Sequence, residues 1–470
     1  MIGLMLLAVT IGIAATLASR GKYSRAIASA FSLMALSIAL AMLYFAVASG
    51  SANSTELYSS YISSFNISLE FRTTAISLAL LLMATIVSFV TLLSGNAERD
   101  REKTASSLVL LFELAAIGLF TSANFFLFFI FWDIGVVALF FMIYLLGSAN
   151  RRSAAMKFLV YEVLASLLLL LGIMVIYFYT PVNSFDIATI IANASLMPMG
   201  MQALVFVLLF LAFMINMPIF PLHLWLPDAH TEASTQGSML LSGILTKFGG
   251  YGMLLLFSML PIAGSYSVPI GILAGFSAFY VTFVLMTQHD IKRVIAYTTI
   301  VEMSIILFGI ATLNSIGIVG ATYAMLAHGL TIALLFLVAG SVSYVFRERD
   351  IRTLKGVVRN SISTAYTFLT GVFATTGVPL TAAFVGDILI FSGAIRSFGL
   401  YGIVPLFALV LMGGFLYFVA NKSFMSTVEY TGEAEALGKS QKAGYALLII
   451  SIFAFGVLPF FILNLLNVSV

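Results

Sequence analysis

Long uninterrupted runs of apolar residues recur fourteen times in this chain, and they constrain its fold more than anything else in the sequence. A helix that crosses a bilayer needs about 20 apolar residues. Stretches of that order lie near 1–19, 26–48, 73–94, 105–121, 124–147, 158–180, 203–225, 237–258, 267–287, 294–312, 317–346, 362–396, 400–421 and 444–468. The runs are continuous rather than alternating, which excludes a transmembrane β-barrel. Of 470 residues, 61% are hydrophobic and only 9% charged, against about 25% charged in an ordinary soluble domain. So few charges cannot cover a globular surface. The expectation is an all-α, polytopic membrane protein of 14 transmembrane helices.

Other classes fall on the same arithmetic. The net charge of +3 comes from scattered residues, with no basic patch of the nucleic-acid-binding kind. The absence of cysteine removes thiolate metal sites and iron–sulfur ligation. His223, His230, His289 and His328 lack the paired spacing of a haem or zinc site. No metal or cofactor is expected on this chain, and any linked redox reaction belongs to a partner. The first apolar run begins at Met1 with no basic region before it, so it reads as a span rather than a cleaved signal.

Lys and Arg positions give an orientation. The loops after odd-numbered runs hold Arg20, Lys22, Arg25, Arg99, Arg101, Lys103, Arg151, Arg152 and Lys157. Further along they hold Lys292, Arg293, Arg347, Arg349, Arg352, Lys355, Arg359, Lys422, Lys439 and Lys442. The opposite loops hold only Arg72 and Arg396. The basic side is expected to be cytoplasmic, with both termini outside, in the plasma membrane of a prokaryote rather than the inner mitochondrial membrane. The longest exterior loop, 49–72, is polar and carries sequons at Asn53 and Asn66, which chance explains. The acidic stretch from Glu429 to Glu435 reads as a solvated face.

Two helices read as broken. The seventh contains Asn216-Met-Pro218-Ile-Phe-Pro221, and proline removes a backbone donor. The twelfth is too long for one straight crossing and contains Gly377-Val-Pro379. Irregular backbone at membrane depth is tolerated where it is packed in protein or lines a cavity. Runs 4–8 and 9–13 each form a five-helix block with its break in fourth place. Because five is odd, the blocks have opposite topology, as in inverted-repeat transporters. The chain therefore divides into a three-helix segment at 1–104, a first repeat at 105–258, a second at 259–424, and a loop with the last helix at 425–470.

A few ionisable residues fall inside the runs: Glu113, Asp133, Glu162, Lys247, Glu302 and Asp387, with His328 central in the eleventh. A charge at a helix centre costs roughly 2.5–3.5 kcal/mol on insertion scales, so such residues face a bundle interior or a watery cavity. Each has a plainer reading. Glu162 could reach the interface, Glu113 and Glu302 could be neutral packing residues, and His328 a satisfied core histidine. Asp133, Lys247 and Asp387 could form a structural ion pair. Spread over so many helices, they read together as a relay. Desolvation and a nearby cation move a carboxylate's proton affinity in opposite senses, so alternating carboxylate, Lys and His passes protons in steps.

The segment Phe220-Pro-Leu-His-Leu-Trp225-Leu-Pro-Asp228-Ala-His230-Thr-Glu232-Ala is followed by Gly237-Ser-Met-Leu-Leu-Ser-Gly-Ile-Leu-Thr-Lys247-Phe-Gly-Gly-Tyr251-Gly. Together they resemble the antiporter-like membrane subunits of respiratory complex I, and the M-type chain in particular. Supporting matches are Phe131-Trp132-Asp133, Asp290-Ile-Lys292-Arg293-Val-Ile-Ala-Tyr297, Ala327-His328-Gly329 and Phe384-Val-Gly386-Asp387. The matches run from about residue 110 to 395. The resemblance implies a proton-translocating subunit in a redox-driven complex with further antiporter-like subunits and peripheral redox subunits. It aligns Asp133 with the family's carboxylate of the fifth helix, Lys247 with its central Lys and His328 with its eleventh-helix His. Asp387 stands where M-type subunits carry a Glu and related types a Lys. Types with a lateral helix need a C-terminal extension, and this chain ends after the fourteenth run. His223, Pro218, Pro221 and Pro379 belong to the channel and broken-helix positions that the resemblance implies.

The chain also departs from the family. Where the family has a Lys beside the proline of the seventh helix, paired with the fifth-helix carboxylate, this chain has Asn216, which carries no charge. Glu302 stands where the family commonly has a neutral polar residue or His. Either the relay is rerouted through Lys247 and Glu302, or its entry half is weakened. Alternative functions are a subunit of a multisubunit Na⁺/H⁺ antiporter or membrane-bound hydrogenase, a stand-alone solute transporter, and a structural spacer that no longer pumps.

Overall fold

The structure, a computed structural model, describes residues 1–62, 67–95, 101–427 and 437–469. Its helices begin with α1 (Ile2–Ala18), α2 (Gly21–Ser49), α3 (Ala75–Leu93), α4 (Glu102–Thr121) and α5 (Phe125–Leu146). Next come α6 (Arg151–Tyr179), α7 (Ile187–Asn193), α8 (Met199–Asn216), α9 (Trp225–Glu232) and α10 (Thr235–Leu240). A π-helical segment, Leu241–Leu245, runs straight on into α11 (Thr246–Met259). Beyond it lie α12 (Ala263–Met286), α13 (Ile291–Ala311), α14 (Ser315–Val345), the single turn α15 (Val357–Asn360), α16 (Ile362–Thr375) and α17 (Ala382–Phe398). The chain closes with α18 (Leu406–Val419), α19 (Lys439–Val457) and α20 (Phe460–Ser469).

In a bilayer every backbone polar group must find its partner within the protein, and a helix does this segment by segment. The helix ends are closed by side chains where the sequence supplies them. Asn124 accepts from Leu127 N at 2.8 Å, and Asn314 from Gly317 N at 2.9 Å. Asp290 accepts from Lys292 N at 2.9 Å and Arg293 N at 3.2 Å. Thr74 and Ser77 form a reciprocal capping box, a device that satisfies two orphan donors at once.

Thirteen described segments are long and apolar enough to cross a membrane, one fewer than the runs in the sequence. The run at 1–19 forms the 17-residue α1. The run at 362–396 splits into α16 and α17 at its proline. A further interruption, at Leu458-Pro459 between α19 and α20, is absent from the sequence expectation of two broken helices. The segment read as a polar exterior loop contains an antiparallel hairpin, β1 (Ser54–Ile62) with β2 (Ile67–Thr73), pairing Ser54 with Thr73 and Glu56 with Phe71. Asn66 and the stretch from Glu429 to Glu435 lie outside the described residues.

The apolar windows of α13 and α14 are wholly buried, and that of α10–α11 almost so. These three form the centre of the bundle. The outer helices turn large apolar side chains outward, among them Tyr44, Val160, Phe178 and Ile450, as a lipid-facing surface requires.

Charged residues pair within two separate faces. On one face Asp228 bridges Lys157 at 2.7 Å and Arg293 at 3.1 Å, and Arg349 meets Asp290 at 2.8 Å. Asp350 there is pushed down to about 2, chiefly by hydrogen bonds from the Arg352 side chain and backbone. On the other face Arg72 pairs with Glu70 at 2.8 Å and lies 3.7 Å from Asp186, and the amino terminus pairs with Glu56. The sorting of basic residues in the sequence is thus matched by a physical sorting of ion pairs.

Candidate functional site: a buried polar row along α11, α14 and α13

Lys247 is the second residue of α11, directly after the π segment, and is fully buried. Single-turn π segments are local irregularities of a helix and are frequent at functional sites. Here the ammonium Nζ donates to the Ser242 carbonyl at 2.5 Å, inside that segment, and lies 3.4 Å from Thr246 Oγ1. Its third partner is Nδ1 of His328 on α14, at 2.5 Å. When Lys247 is protonated it has donors and no acceptor, and Nδ1 then accepts while the imidazole proton sits on Nε2. That nitrogen faces Glu302 of α13, with Nε2 to Oε2 at 3.8 Å. Lys247, His328 and Glu302 therefore form a buried row across three helices, hydrogen-bonded between Lys247 and His328 and open by 3.8 Å between His328 and Glu302.

The row extends at both ends. Towards the basic face, Ser242 Oγ meets His230 Nε2 at 2.6 Å and accepts from Thr299 Oγ1 at 3.1 Å. His230 is buried and stacks on Phe336 at 4.2 Å between ring centroids. Beyond Glu302, a void of about 10 Å³ is lined by both Glu302 and Asp387, on the scale needed for a single water. Asp387 lies on α17, just past the break between α16 and α17, where Gly377 (φ 65°) and Leu380 (φ 77°) adopt left-handed backbone. A Cβ on Gly377 would come within 2.7 Å of Asp387 Oδ2, so only glycine fits there. Asp387 also lines a laterally open, mainly apolar crevice between α16, α17 and α18.

Of the other intramembrane acids, Glu162 lies at the first break. α8 ends at Asn216, and α9 resumes at Trp225. The freed backbone is patched by side chains: Phe220 N donates to Ser277 Oγ at 3.2 Å, and Trp225 Nε1 to Ile215 O at 2.9 Å. Asn216 Nδ2 donates to Glu162 Oε2 at 3.1 Å, while its Oδ1 accepts from Gly249 N at 2.8 Å. Gly249 lies two residues beyond Lys247, so this amide joins the first break to the helix carrying the central lysine. Asp133 accepts from Ser166 Oγ at 2.6 Å, and Glu113 from Ser32 Oγ at 2.9 Å. One carboxylate oxygen of each of Glu113, Glu162 and Glu302 is buried without a hydrogen-bond partner among the described residues.

Several expectations shift on this geometry. Glu162 does not reach the interface; it is fully buried and contacts Asn216. The residue beside the seventh-helix proline therefore bonds Glu162, whereas the family pattern pairs that position with the fifth-helix carboxylate. Lys247 bonds neutral groups and an imidazole rather than forming an ion pair with Asp133 or Asp387. His223 is buried beside Phe220 and Tyr280, away from the row. Pro218 and Pro221 lie in the turn between α8 and α9, and Pro379 between α16 and α17, at the two breaks. His230 and Ser242 were not expected in the row. The motif from Asp228 to Lys247 contains both, at positions that one face of a continuous helix would not have brought to the same hydroxyl.

A family model described as NADH:quinone oxidoreductase/Mrp antiporter, transmembrane, matches residues 122–413. The chain is 31% identical over 398 residues to the F420H2 dehydrogenase subunit M of Methanosarcina mazei, covering 82% of this chain and 80% of that one. It is 32% identical over 412 residues to the NADH-quinone oxidoreductase subunit M of Rickettsia prowazekii, covering 86% and 83%. Its fold matches a chain of respiratory complex I from Thermus thermophilus with a TM-score of 0.90 at 22% identity, over 100% and 98% of the two chains. It also matches a chain of the Mrp complex from Dietzia with a TM-score of 0.86 at 18% identity, over 100% and 95%. The chain belongs to the NADH:quinone oxidoreductase/Mrp antiporter family of multi-pass membrane subunits and is of the M type.

Proposed function

We propose that this chain is a proton-translocating subunit of a redox-driven, multisubunit oxidoreductase. Lys247, His328 and Glu302 carry protons through its centre. His230 and Ser242 connect the row to the basic face. Asp387 continues it past the second break, Glu162 lies at the first, and Asp133 and Glu113 are further carriers on α5 and α4. The observation that carries this reading is the buried series Ser242 carbonyl, Lys247 Nζ, His328 and Glu302, hydrogen-bonded as far as His328 and leaving 3.8 Å between His328 Nε2 and Glu302 Oε2. A proton leaving the ammonium for Nδ1 matches one leaving Nε2 for Glu302 once the 3.8 Å gap closes. The chain needs no cofactor of its own for this work. Protons move by side chains, and electrons by its partners.

The basic face is assigned to the cytoplasm by the positive-inside rule, with both termini outside, in a prokaryotic plasma membrane. The two five-helix halves, 105–258 and 259–424, act as inverted repeats around the row. The test is purification of the native complex, followed by proton uptake in vesicles. Copurified redox subunits and uptake driven by electron transfer support the reading. A complex made of membrane subunits alone that exchanges Na⁺ for H⁺ overturns the redox coupling.

A further inference from the structure

On the face opposite the basic loops, the bundle opens into a vestibule of about 1000 Å³. It lies between the β-hairpin, the α4–α5 link, α7, the end of α11 and the start of α12. Arg72, Thr74, Ser122 and Ser258 line its polar part, and Tyr251 lines it from α11. Tyr251 is nearly buried and within electrostatic reach of Arg72. It lies four residues beyond Lys247 on the same helix, about 6 Å further along the axis.

What separates the vestibule from the lysine is aromatic. The Phe120 ring lies 5.7 Å from the Tyr251 ring and 5.5 Å from that of Phe248, both edge-on. Phe248, the residue after Lys247, is backed by Phe112 at 5.9 Å and Trp132 at 6.2 Å. Packed rings of this kind exclude water, and a hydrophobic constriction gates by dewetting. Glycines bring neighbouring helices onto the same stretch: a Cβ on Gly252 would meet the Phe213 ring at 2.3 Å, and one on Gly249 the Phe213 carbonyl at 2.7 Å.

We propose that the vestibule is a hydrated mouth that ends on Tyr251, and that the Phe120–Phe248 ring pair is the closed gate between this mouth and Lys247. The mouth admits water and hydronium to the α11 end of the row, a route to the outer face separate from Asp387. The proposal rests on the proton-translocation reading for the gate's purpose, but not for the mouth's existence.

The chain has no cysteine, so an introduced thiol is the only one it carries. In the assembled complex in right-side-out vesicles, Ser258→Cys and Tyr251→Cys are treated with a membrane-impermeant trimethylammonium methanethiosulfonate. The expectation is prompt modification of Ser258→Cys, slower modification of Tyr251→Cys, and several-fold faster reaction of Tyr251→Cys when Phe120→Ala is added. Modification only by a lipid-soluble maleimide makes the vestibule a lipid cleft and overturns the mouth. Phe120→Ala is expected to speed the decay of an imposed pH gradient, with Phe120→Leu as the milder variant if assembly suffers. Unchanged decay and unchanged Tyr251→Cys reactivity in an assembled Phe120 variant overturn the gate. Loss of redox-driven pumping in the native complex would overturn the parent reading and leave the thiol results standing.

Discussion

Asn216 holds Glu162 by its amide nitrogen at 3.1 Å and takes the backbone N–H of Gly249 on its amide oxygen at 2.8 Å. A lysine in this position could serve the carboxylate but would have no acceptor for Gly249. The uncharged residue is therefore a structural tie as well as a missing charge. It locks the end of α8 to the helix that carries Lys247.

Asn216→Ala is expected to leave a buried carboxylate oxygen and a buried N–H unpartnered together. Each such group costs about 1–3 kcal/mol, so the thermal midpoint of the purified complex should fall. Asn216→Lys restores the contact with Glu162 and loses only the bond to Gly249, so its loss should be smaller. An Asn216→Lys complex that moves more protons per electron than the parent would mark the native entry half as weakened. An unchanged ratio would favour a relay rerouted through Lys247 and Glu302, or a structural spacer.

Lys247 and His328 act as one unit if protons pass between them at 2.5 Å. Removing either should then stop translocation, and removing both should be no worse than removing one, since neighbours in a single network are not additive. Lys247→Ala, His328→Ala and the double variant are compared by redox-driven proton uptake. Losses that multiply would show that the two residues serve separate paths.

The packing of α14 against α17 sets where Asp387 sits. A Cβ on Gly386 would come within 2.8 Å of the Ala324 backbone, and one on Gly320 within 2.5 Å of Ile390 N. Gly386→Ala should cost on the order of 1–3 kcal/mol through overpacking. Gly200→Ala, which meets nothing within 4 Å, should be neutral to stabilising by up to about 1 kcal/mol. Thermal unfolding of the two variants checks the pair, and equal effects would refute the packing argument.

Much of this arrangement is legible from residue order because lipid leaves few choices. Apolar runs must be helices. Proline at 218, 221 and 379 falls at interruptions, although Pro269 is carried inside α12. A lysine as deep as Lys247 must find polar company. What the order of residues does not convey is rotation and proximity. Leu241–Leu245 has the composition of an ordinary helix, so nothing marks its π geometry, yet that segment presents the Ser242 carbonyl to Lys247. Whether Asn216 faces Asp133 or Glu162 depends on how α5, α6 and α8 turn about their axes. The hairpin at 54–73 is polar on a short stretch and reads as loop, because its partner strand is set by register. His230 was visible in a motif, but its bond to Ser242 requires the bend between α9 and α10.

The most direct measurement is the number of protons taken up per electron transferred, in sealed vesicles, by the assembled complex carrying Lys247→Met. Methionine keeps the length and apolar packing of the side chain but cannot carry a proton. Electron transfer with the proton ratio reduced by this subunit's share is the expected result. A full native ratio in a complex of normal subunit composition would contradict the buried row as the proton path.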